Sequence, residues 1–330
     1  MKATQIAKIL HKLVDEKIAT FIWGAPGVGK SSVVKEIAAQ KEIGFIDLRL
    51  SLLDPTDLKG IPFYDKESRR ALWAPPAFLP QNGEGILFLD ELNTASPSLQ
   101  ASAYQLILDR AIGEYRLPEG WAVVAAGNRE GDRGVVYKMA SPLANRFIHL
   151  ELDVDIDDWR YWAYENGIDD SIIAYIGYKN EHLFTFDPKS GERSFATPRS
   201  WEFVDKILKS DLDRTLLLET ISGAVSKEVA VSFLGFAKVH ADLPDIEMIL
   251  QGKSKEYPTR IDVLYVLASV LVSRYLALRD EQTLENIIDY TLSLESEFAV
   301  MIVQDLQRVG VDMLTSDSFR RWSKKFSHLL

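Results

Sequence analysis

The sequence contains no cysteine. Disulfide bonds and thiolate metal sites are therefore excluded, and a reducing compartment is the natural setting. Histidine is scarce as well. His11, His149, His182, His240 and His328 lie far apart in the chain, so no local metal-ligand spacing exists. Long uninterrupted apolar runs are missing too. The N-terminal stretch MKATQIAKILHKLVDEKIA places a charge every few residues and does not read as a signal peptide. The most apolar later stretch, 263–272, is bounded by Asp262 and Arg274. It is shorter than the roughly 20 residues a bilayer span needs. A buried helix, no membrane insertion and a cytoplasmic location are expected.

An excess of basic residues is also lacking. The net charge is −10 and it is unevenly spread: residues 1–150 carry 18 Lys/Arg against 17 Asp/Glu, and the remainder 20 against 31. An acidic second part argues against broad nucleic-acid affinity. No internal repeat or low-complexity segment is present.

What remains is ordinary globular composition, 47% hydrophobic and 26% charged over 330 residues. Candidate strands fall at 19–23, 43–50, 86–90, 121–126 and 147–152, with helices expected over 30–40 and 96–112. The second helix opens on Ser96-Pro97, an N-cap followed by proline at the first helical position. Near-continuous apolar strands alternating with helices indicate a parallel sheet covered on both faces. From about Asp155 the strand signals stop. Amphipathic helical repeats follow at 200–208, 216–238 and 261–278, with a final set from Thr283. The stretch DPKSGERSFATPRS is the most loop-like and is expected to connect domains.

The chemistry is carried by a few short motifs. GAPGVGKSS spans Gly24, Ala25, Pro26, Gly27, Val28, Gly29, Lys30, Ser31 and Ser32, between an expected strand and an expected helix. This is the context a phosphate-binding loop requires. Glycines let the backbone wrap an anion with its N–H groups pointing inward, and the following helix adds its positive end. Lys30 would contact the β- and γ-phosphates and Ser31 would ligate Mg²⁺. GILFLDELN ends an apolar strand on Asp90-Glu91. Of these two carboxylates, Asp90 would hold Mg²⁺ and Glu91 would polarise an attacking water. WAVVAAGNRE ends another strand on Asn128, an uncharged group able to hold water or a γ-phosphate, or else a turn asparagine.

These three sites follow the C-terminal ends of their strands, where open parallel sheets bind ligands. Arg146 instead precedes its strand. In a parallel sheet it would lie at the opposite edge, about 17–20 Å away. It is then either an idle surface charge or a group inserted into a neighbouring subunit's site, where a guanidinium can neutralise charge on a transferring phosphoryl group. In FATPRSWEF, Thr197 is a candidate N-cap and Arg199 stands in the first helical turn. An arginine there runs against the helix dipole and calls for a compensating partner, either a γ-phosphate or a carboxylate.

Taken in order, GAPGVGKSS, ILFLDELN, AAGN, PLANRF and TPRSW resemble the AAA+ ATPases, and within them the MoxR-like branch. The resemblance covers residues from about 5 to 205. It implies a five-stranded parallel sheet in the order 5-1-4-3-2 sandwiched by helices, a helical lid, ATP with Mg²⁺ as ligands, and a homo-oligomeric ring, usually a hexamer. On that likeness Lys30 and Ser31 are Walker A residues, Asp90 and Glu91 Walker B, Asn128 sensor 1, Arg146 the arginine finger and Arg199 sensor 2. The branch carries two insertions. Residues 57–80 look like the helix-2 insert and 110–121 like the hairpin before sensor 1. Such hairpins face the ring's pore or a partner, and Phe63, Tyr64, Trp73 and Tyr115 are the aromatics concerned. Packing down on their own domain is the alternative for each.

The expectation is an α/β nucleotide-binding core over 1–155, a helical lid over 156–250 and a helical extension over 251–330. The resemblance further implies ATP-driven, chaperone-like activation or assembly of a partner protein, often one with a von Willebrand factor A domain. Two rivals use the same parts. One is a nucleic-acid motor or loader, for which the local pairs Arg69-Arg70 and Arg129/Arg133 speak and the acidic balance speaks against. The other is a scaffold that binds ATP and barely turns it over.

Overall fold

The computed structural model describes residues 1–132, 137–254 and 256–326; Arg133, His328 and the end of the C-terminal extension lie outside them. The chain forms two compact units, Met1–Val154 with Pro188–Ser190, and Asp155–Asp187 with Gly191–Leu330.

The first unit begins with α1 (Ala3–Asp15), β1 (Thr20–Trp23), α2 (Lys30–Gln40) and β2 (Gly44–Arg49), then α3 (Pro55–Lys59) and the pair β3 (Ile61–Asp65) and β4 (Arg70–Ala74). It continues through β5 (Gly85–Asp90), α4 (Pro97–Asp109), the short pair β6 (Ala111–Ile112) and β7 (Tyr115–Arg116), β8 (Trp121–Gly127), α5 (Ser141–Ala144) and β9 (Ile148–Glu151). Five strands form one parallel sheet in the order β2-β5-β8-β1-β9. Numbered along the chain and read from the other edge, this is the order 5-1-4-3-2 that the resemblance implies.

Alternation along the strands divides the apolar residues between two layers. Phe21, Leu87, Leu89, Val123 and Ala125 face a core completed by Leu99, Ala103 and Leu106 of α4. Ile22, Ile86, Phe88, Val124 and Ala126 face a second core completed by Ile6 and Leu10 of α1 and Val34 and Ile37 of α2. The two central strands are buried on both faces, which is why they read as continuous apolar runs. Ser96 accepts a hydrogen bond from the Leu99 amide and so caps α4, with Pro97 in its first turn.

The second unit is helical: α6 (Ile156–Glu165), α7 (Asp170–Tyr178), α8 (Pro198–Leu208), α9 (Leu217–Val225), α10 (Lys227–Ala237), α11 (Ile246–Leu250), α12 (Ile261–Leu278), α13 (Glu281–Thr291), α14 (Ser296–Arg308) and α15 (Asp317–Phe326). The amphipathic stretch over 216–238 is two helices, not one. Ser226 adopts φ 86°, breaks the run and caps α10 through Val229. Among the described residues, α12 is the one helix long and apolar enough to cross a membrane by length and composition alone. Its residues Val263, Leu267, Ala268, Leu271 and Val272 are buried, and it packs on α7 and α14. A buried Arg160–Asp305 ion pair, joined by the Tyr164 hydroxyl at 3.2 Å from the same carboxylate, ties α6 to α14.

Candidate nucleotide site

The strands β1, β5 and β8 are neighbours in the sheet, so the segments that leave their C-terminal ends are brought side by side. After Trp23 the chain enters the loop 24–29. Gly29, with φ 96°, is the residue before α2 and holds a conformation that L side chains rarely adopt; a Cβ added there would point into open space. The loop is thereby left with room for a ligand in front of the N-terminus of α2, where helix geometry favours an anion. Lys30 is the first residue of that helix, and Ser31 and Ser32 lie in its first turn.

The Lys30 ammonium donates to the carbonyls of Gly24 (2.7 Å) and Ala25 (3.0 Å) and to Asn128 Oδ1 (3.0 Å). Two of the motifs found separately in the sequence thus meet on one charge. Asn128 is held from behind, where Asn93 Nδ2 donates to its backbone carbonyl at 2.7 Å. Asn93 is itself buried beneath Gly127, where any Cβ would overlap its Oδ1. Gly127 is therefore needed for the close approach of the two strand ends. Asn93 stands within the DELN motif, yet its type and spacing assign it no part; its role arises from packing between β5 and β8.

Asp90 closes β5, and the next residue turns sharply. Glu91 has φ 57°, an uncommon conformation for a non-glycine residue and one found often at functional sites. Backbone contacts hold it. Its amide donates to Asp90 Oδ1 at 2.9 Å, and its carbonyl accepts from the Thr94 and Ala95 amides at 3.0 and 3.2 Å. Its carboxylate accepts from the Ser51 hydroxyl, in the turn that follows β2. Ser51 is a second residue that the sequence does not single out, because the contact spans two strands of the sheet.

Burial pushes the Asp90 carboxyl above the usual carboxylate range; the Glu91 amide and the Lys30 charge oppose this, and Asp47 and Glu91 add to it. Asp47, on β2, is raised in the same way by burial and by Glu91, against Arg49 and Lys35. Such a clustered negative field is relieved by a cation. Among the described residues no group of three acidic or histidine side chains could hold a metal by itself. A serine hydroxyl and one carboxylate do fit Mg²⁺, which takes few protein oxygens and completes its shell with water and phosphate.

Arg146 lies elsewhere. Strand β9 runs parallel to β1, with Ile148 opposite Thr20 and Glu151 opposite Trp23. Leu152 is level with Gly24, since its amide donates to Trp23 O at 2.8 Å. The strand spans about 13 Å between Ile148 and the level of Leu152. Arg146 lies in the turn that precedes β9, at the N-terminal end of that strand. It is exposed, and its side chain has no ion-pair or hydrogen-bond partner among the described residues. Arg199 is also exposed, in the first turn of α8, and forms no ion pair with a carboxylate among the described residues of its own unit. Thr197 caps that helix, accepting from the Ser200 amide at 3.1 Å while Ser200 Oγ accepts from the Thr197 amide at 2.8 Å.

Residues 20–152 match the family model "ATPase family associated with various cellular activities (AAA)". This stretch is an AAA ATPase domain. Its matched span begins at β1 and ends one residue past β9, so it includes every strand of the sheet, the loop 24–29, Asp90-Glu91 and Asn128. The AAA domain is accordingly a nucleotide-binding and ATP-hydrolysing unit. No curated protein matches the chain. Among solved structures, NtrX from Brucella abortus in complex with ADP is similar at 14% identity and TM-score 0.41, covering 98% of this chain and 68% of that one. A mutant of RuvB from Thermotoga maritima is similar at 18% identity and TM-score 0.40, covering 85% of this chain and 86% of that one.

The two hairpins of the AAA domain differ in exposure. On β3 and β4, Ile61 (74%), Tyr64 (64%) and Phe63 (48%) are open to solvent, whereas Trp73 is half-buried. Tyr115, on β7, is buried. Its hydroxyl donates to Pro80 O at 2.6 Å, and burial raises it to about 12. Of the two alternatives left open for each aromatic, Tyr115 takes the second: it packs on its own domain and anchors one hairpin to the segment that follows the other. The Trp73 amide, donating to Glu114 Oε2 at 3.0 Å, makes a second link between them.

Proposed function

We propose that this chain is a MoxR-like, ring-forming AAA+ ATPase that uses ATP hydrolysis to remodel, activate or assemble a partner protein. The observation that carries the reading is the position of Arg146: exposed, unpartnered among the described residues, and on the far side of the sheet from its own phosphate loop. A buried or paired arginine would have had a structural explanation. In the proposed ring, usually a hexamer, Arg146 enters the site of the adjacent subunit.

In that site the N–H groups of Gly27, Gly29 and Lys30 and the Lys30 ammonium hold the phosphates. Ser31 and Asp90 are the residues that would hold Mg²⁺, which when bound would neutralise phosphate charge. Glu91 accepts a proton from water as its oxygen attacks the γ-phosphorus, the bond to the β–γ bridging oxygen breaks, and ADP and phosphate leave. Asn128 positions the water or γ-phosphate, and Arg146 of the neighbour neutralises charge as it develops. Arg199 is assigned the sensor 2 role. The exposed aromatics Phe63 and Tyr64 make the β3–β4 hairpin the contact surface for the pore or the partner. The partner class favoured is a protein with a von Willebrand factor A domain.

A nucleic-acid motor or loader is the second reading. It is favoured by Arg69 and Arg70 beside the same exposed rings at the hairpin tip. A single experiment separates the two. The Glu91→Gln protein, able to bind ATP and stall, is isolated from its native cell with ATP and Mg²⁺, and what stays bound is identified by mass spectrometry and nuclease digestion. A stoichiometric protein partner supports the remodeller. DNA or RNA lost with rising salt, without a protein partner, overturns it in favour of the motor. Turnover that survives Arg146→Ala unchanged would dismiss the shared site.

A further inference from the structure

Trp23 is the last residue of β1, immediately before the phosphate loop. Its indole Nε1–H donates to His149 Nδ1 at 2.9 Å. An indole nitrogen can only donate, so Nδ1 is the bare nitrogen and the ring proton sits on Nε2. Nε2 lies 2.8 Å from the carbonyl of Ala144 and donates to it. The hydrogen bonds therefore run one way, from Trp23 through the imidazole to Ala144. Ala144 ends the one-turn helix α5, and Arg146 follows it by two residues.

The rings around this chain of bonds are packed together. Phe21 and Trp23 on β1 have centroids 4.2 Å apart, Phe21 meets Phe147 edge-on at 5.5 Å, and His149 stacks on Trp23 at 6.0 Å. Phe147 is the residue next to Arg146, and its amide donates to the same Ala144 carbonyl at 3.2 Å. α5 is a single turn, closed by the Asn145 amide on Ser141 O at 3.0 Å and the Arg146 amide on Leu143 O at 3.1 Å, so few internal hydrogen bonds hold its end. Its last turn, and the direction in which Arg146 leaves it, depends on such outside contacts. On the other side, Trp23 is bonded to Gly24, whose carbonyl accepts from Lys30.

We infer that His149 is a positioning residue: through the Ala144 carbonyl it sets the presentation of Arg146 to the next subunit, and through Trp23 it makes that presentation answer to the phosphate loop of its own subunit. This deepens the proposed function and rests on the trans role of Arg146. It assigns the coupling between adjacent sites to two hydrogen bonds, Trp23–His149 and His149–Ala144, within one subunit.

The test uses mixed assemblies of full-length protein. Lys30→Ala subunits have no working site but donate Arg146; Arg146→Ala subunits have a site but lack the donor. Their mixture reads the rate at which one subunit's arginine serves another's nucleotide. His149→Phe, which keeps an aromatic ring and removes both hydrogen bonds, is placed first in the donor and then in the acceptor. Placed in the donor, it should lower the mixed rate about 3- to 10-fold, the scale of one or two hydrogen bonds. Placed in the acceptor, whose Arg146 is already gone, the loss should be much smaller. Trp23→Phe in the donor removes only the indole N–H and should reproduce part of the effect. Thermal melting of each variant accompanies the rates. Equal losses in both placements, or none in either, would overturn the inference while leaving the shared site standing. A parent mixture that exchanges subunits yet regains no activity would instead remove the trans role of Arg146 and the inference with it.

Discussion

Lys30 Nζ stands 3.0 Å from Asn128 Oδ1, joining the loop after β1 to the end of β8. An ammonium held by one side-chain amide and two loop carbonyls is positioned before any phosphate arrives. Asn128→Ala removes the side-chain part of that support and the polar group proposed to position the water or γ-phosphate. We expect kcat to fall by about 10²-fold, the scale of losing one oriented hydrogen-bonding group, with nucleotide affinity changed far less. Steady-state turnover alongside fluorescent-nucleotide titration checks the split. A loss confined to KM would contradict it.

Gly127→Ala should be far more damaging than a methyl group on a sheet usually is. The new Cβ overlaps Asn93 Oδ1 and also crowds the Phe21 ring at 2.8 Å. Overpacking of this kind costs about 1–3 kcal/mol. A lowered melting temperature is expected, with part of it recovered in the double variant Gly127→Ala/Asn93→Ala. If the single variant melts with the parent protein, β5 and β8 do not approach as closely as described.

The Asp305 carboxylate is buried against Arg160 in the helical unit, with Arg308 at 3.3 Å on its outer side. Asp305→Ala leaves Arg160 buried and unpaired and should cost about 3–5 kcal/mol. Arg308→Ala, at a partly exposed position, should cost under about 1 kcal/mol. Denaturant unfolding of the full chain measures both. Replacing the pair together, Arg160→Met with Asp305→Leu, is expected to recover most of the loss. Equal costs for the two single variants would be the contrary result.

Asp170 opens α7 and accepts from the Ser273 hydroxyl. Burial raises its carboxyl above the ordinary 3.8, aided by Asp169 and opposed by Ser273, His240 and Arg274. A carboxyl raised in the folded state binds its proton more tightly there than in the unfolded chain. Its contribution to stability is thus complete below 3.8 and is lost as pH rises through the raised value. Asp170→Asn, which keeps an acceptor for Ser273, should remove this loss. Relative to the parent protein, the variant should become more stable from about pH 4 towards neutrality in melting curves. A difference that does not vary with pH would show that the group is not raised.

Much of the nucleotide core is legible in the sequence because its signals are local. Apolar runs bounded by glycine or acidic residues place all five strands of the sheet within a residue or two, and the helix over 30–40 begins and ends as expected. The caps at Ser96 and Thr197 can be read because each bonds an amide three residues away. The division at Ser226 cannot. Both halves of 216–238 have helical periodicity, and only a backbone turn at one serine separates them.

The residue types of the site, and the edge of the sheet each would occupy, were determined by the sequence alone. Loop glycines, Lys30, Asp90, Glu91 and Asn128 each follow an apolar strand, and parallel strands carry their C-terminal ends to one side. Tertiary structure alone decided what those groups touch. Asn93 beneath Gly127, Ser51 on Glu91, the buried Tyr115 hydroxyl, and the imidazole of His149 between Trp23 and Ala144 each join segments distant in the chain. Contacts of that kind depend on strand register and on the close approach of backbones. Hydrophobic periodicity reports which face of an element is buried and nothing about its neighbours across the sheet.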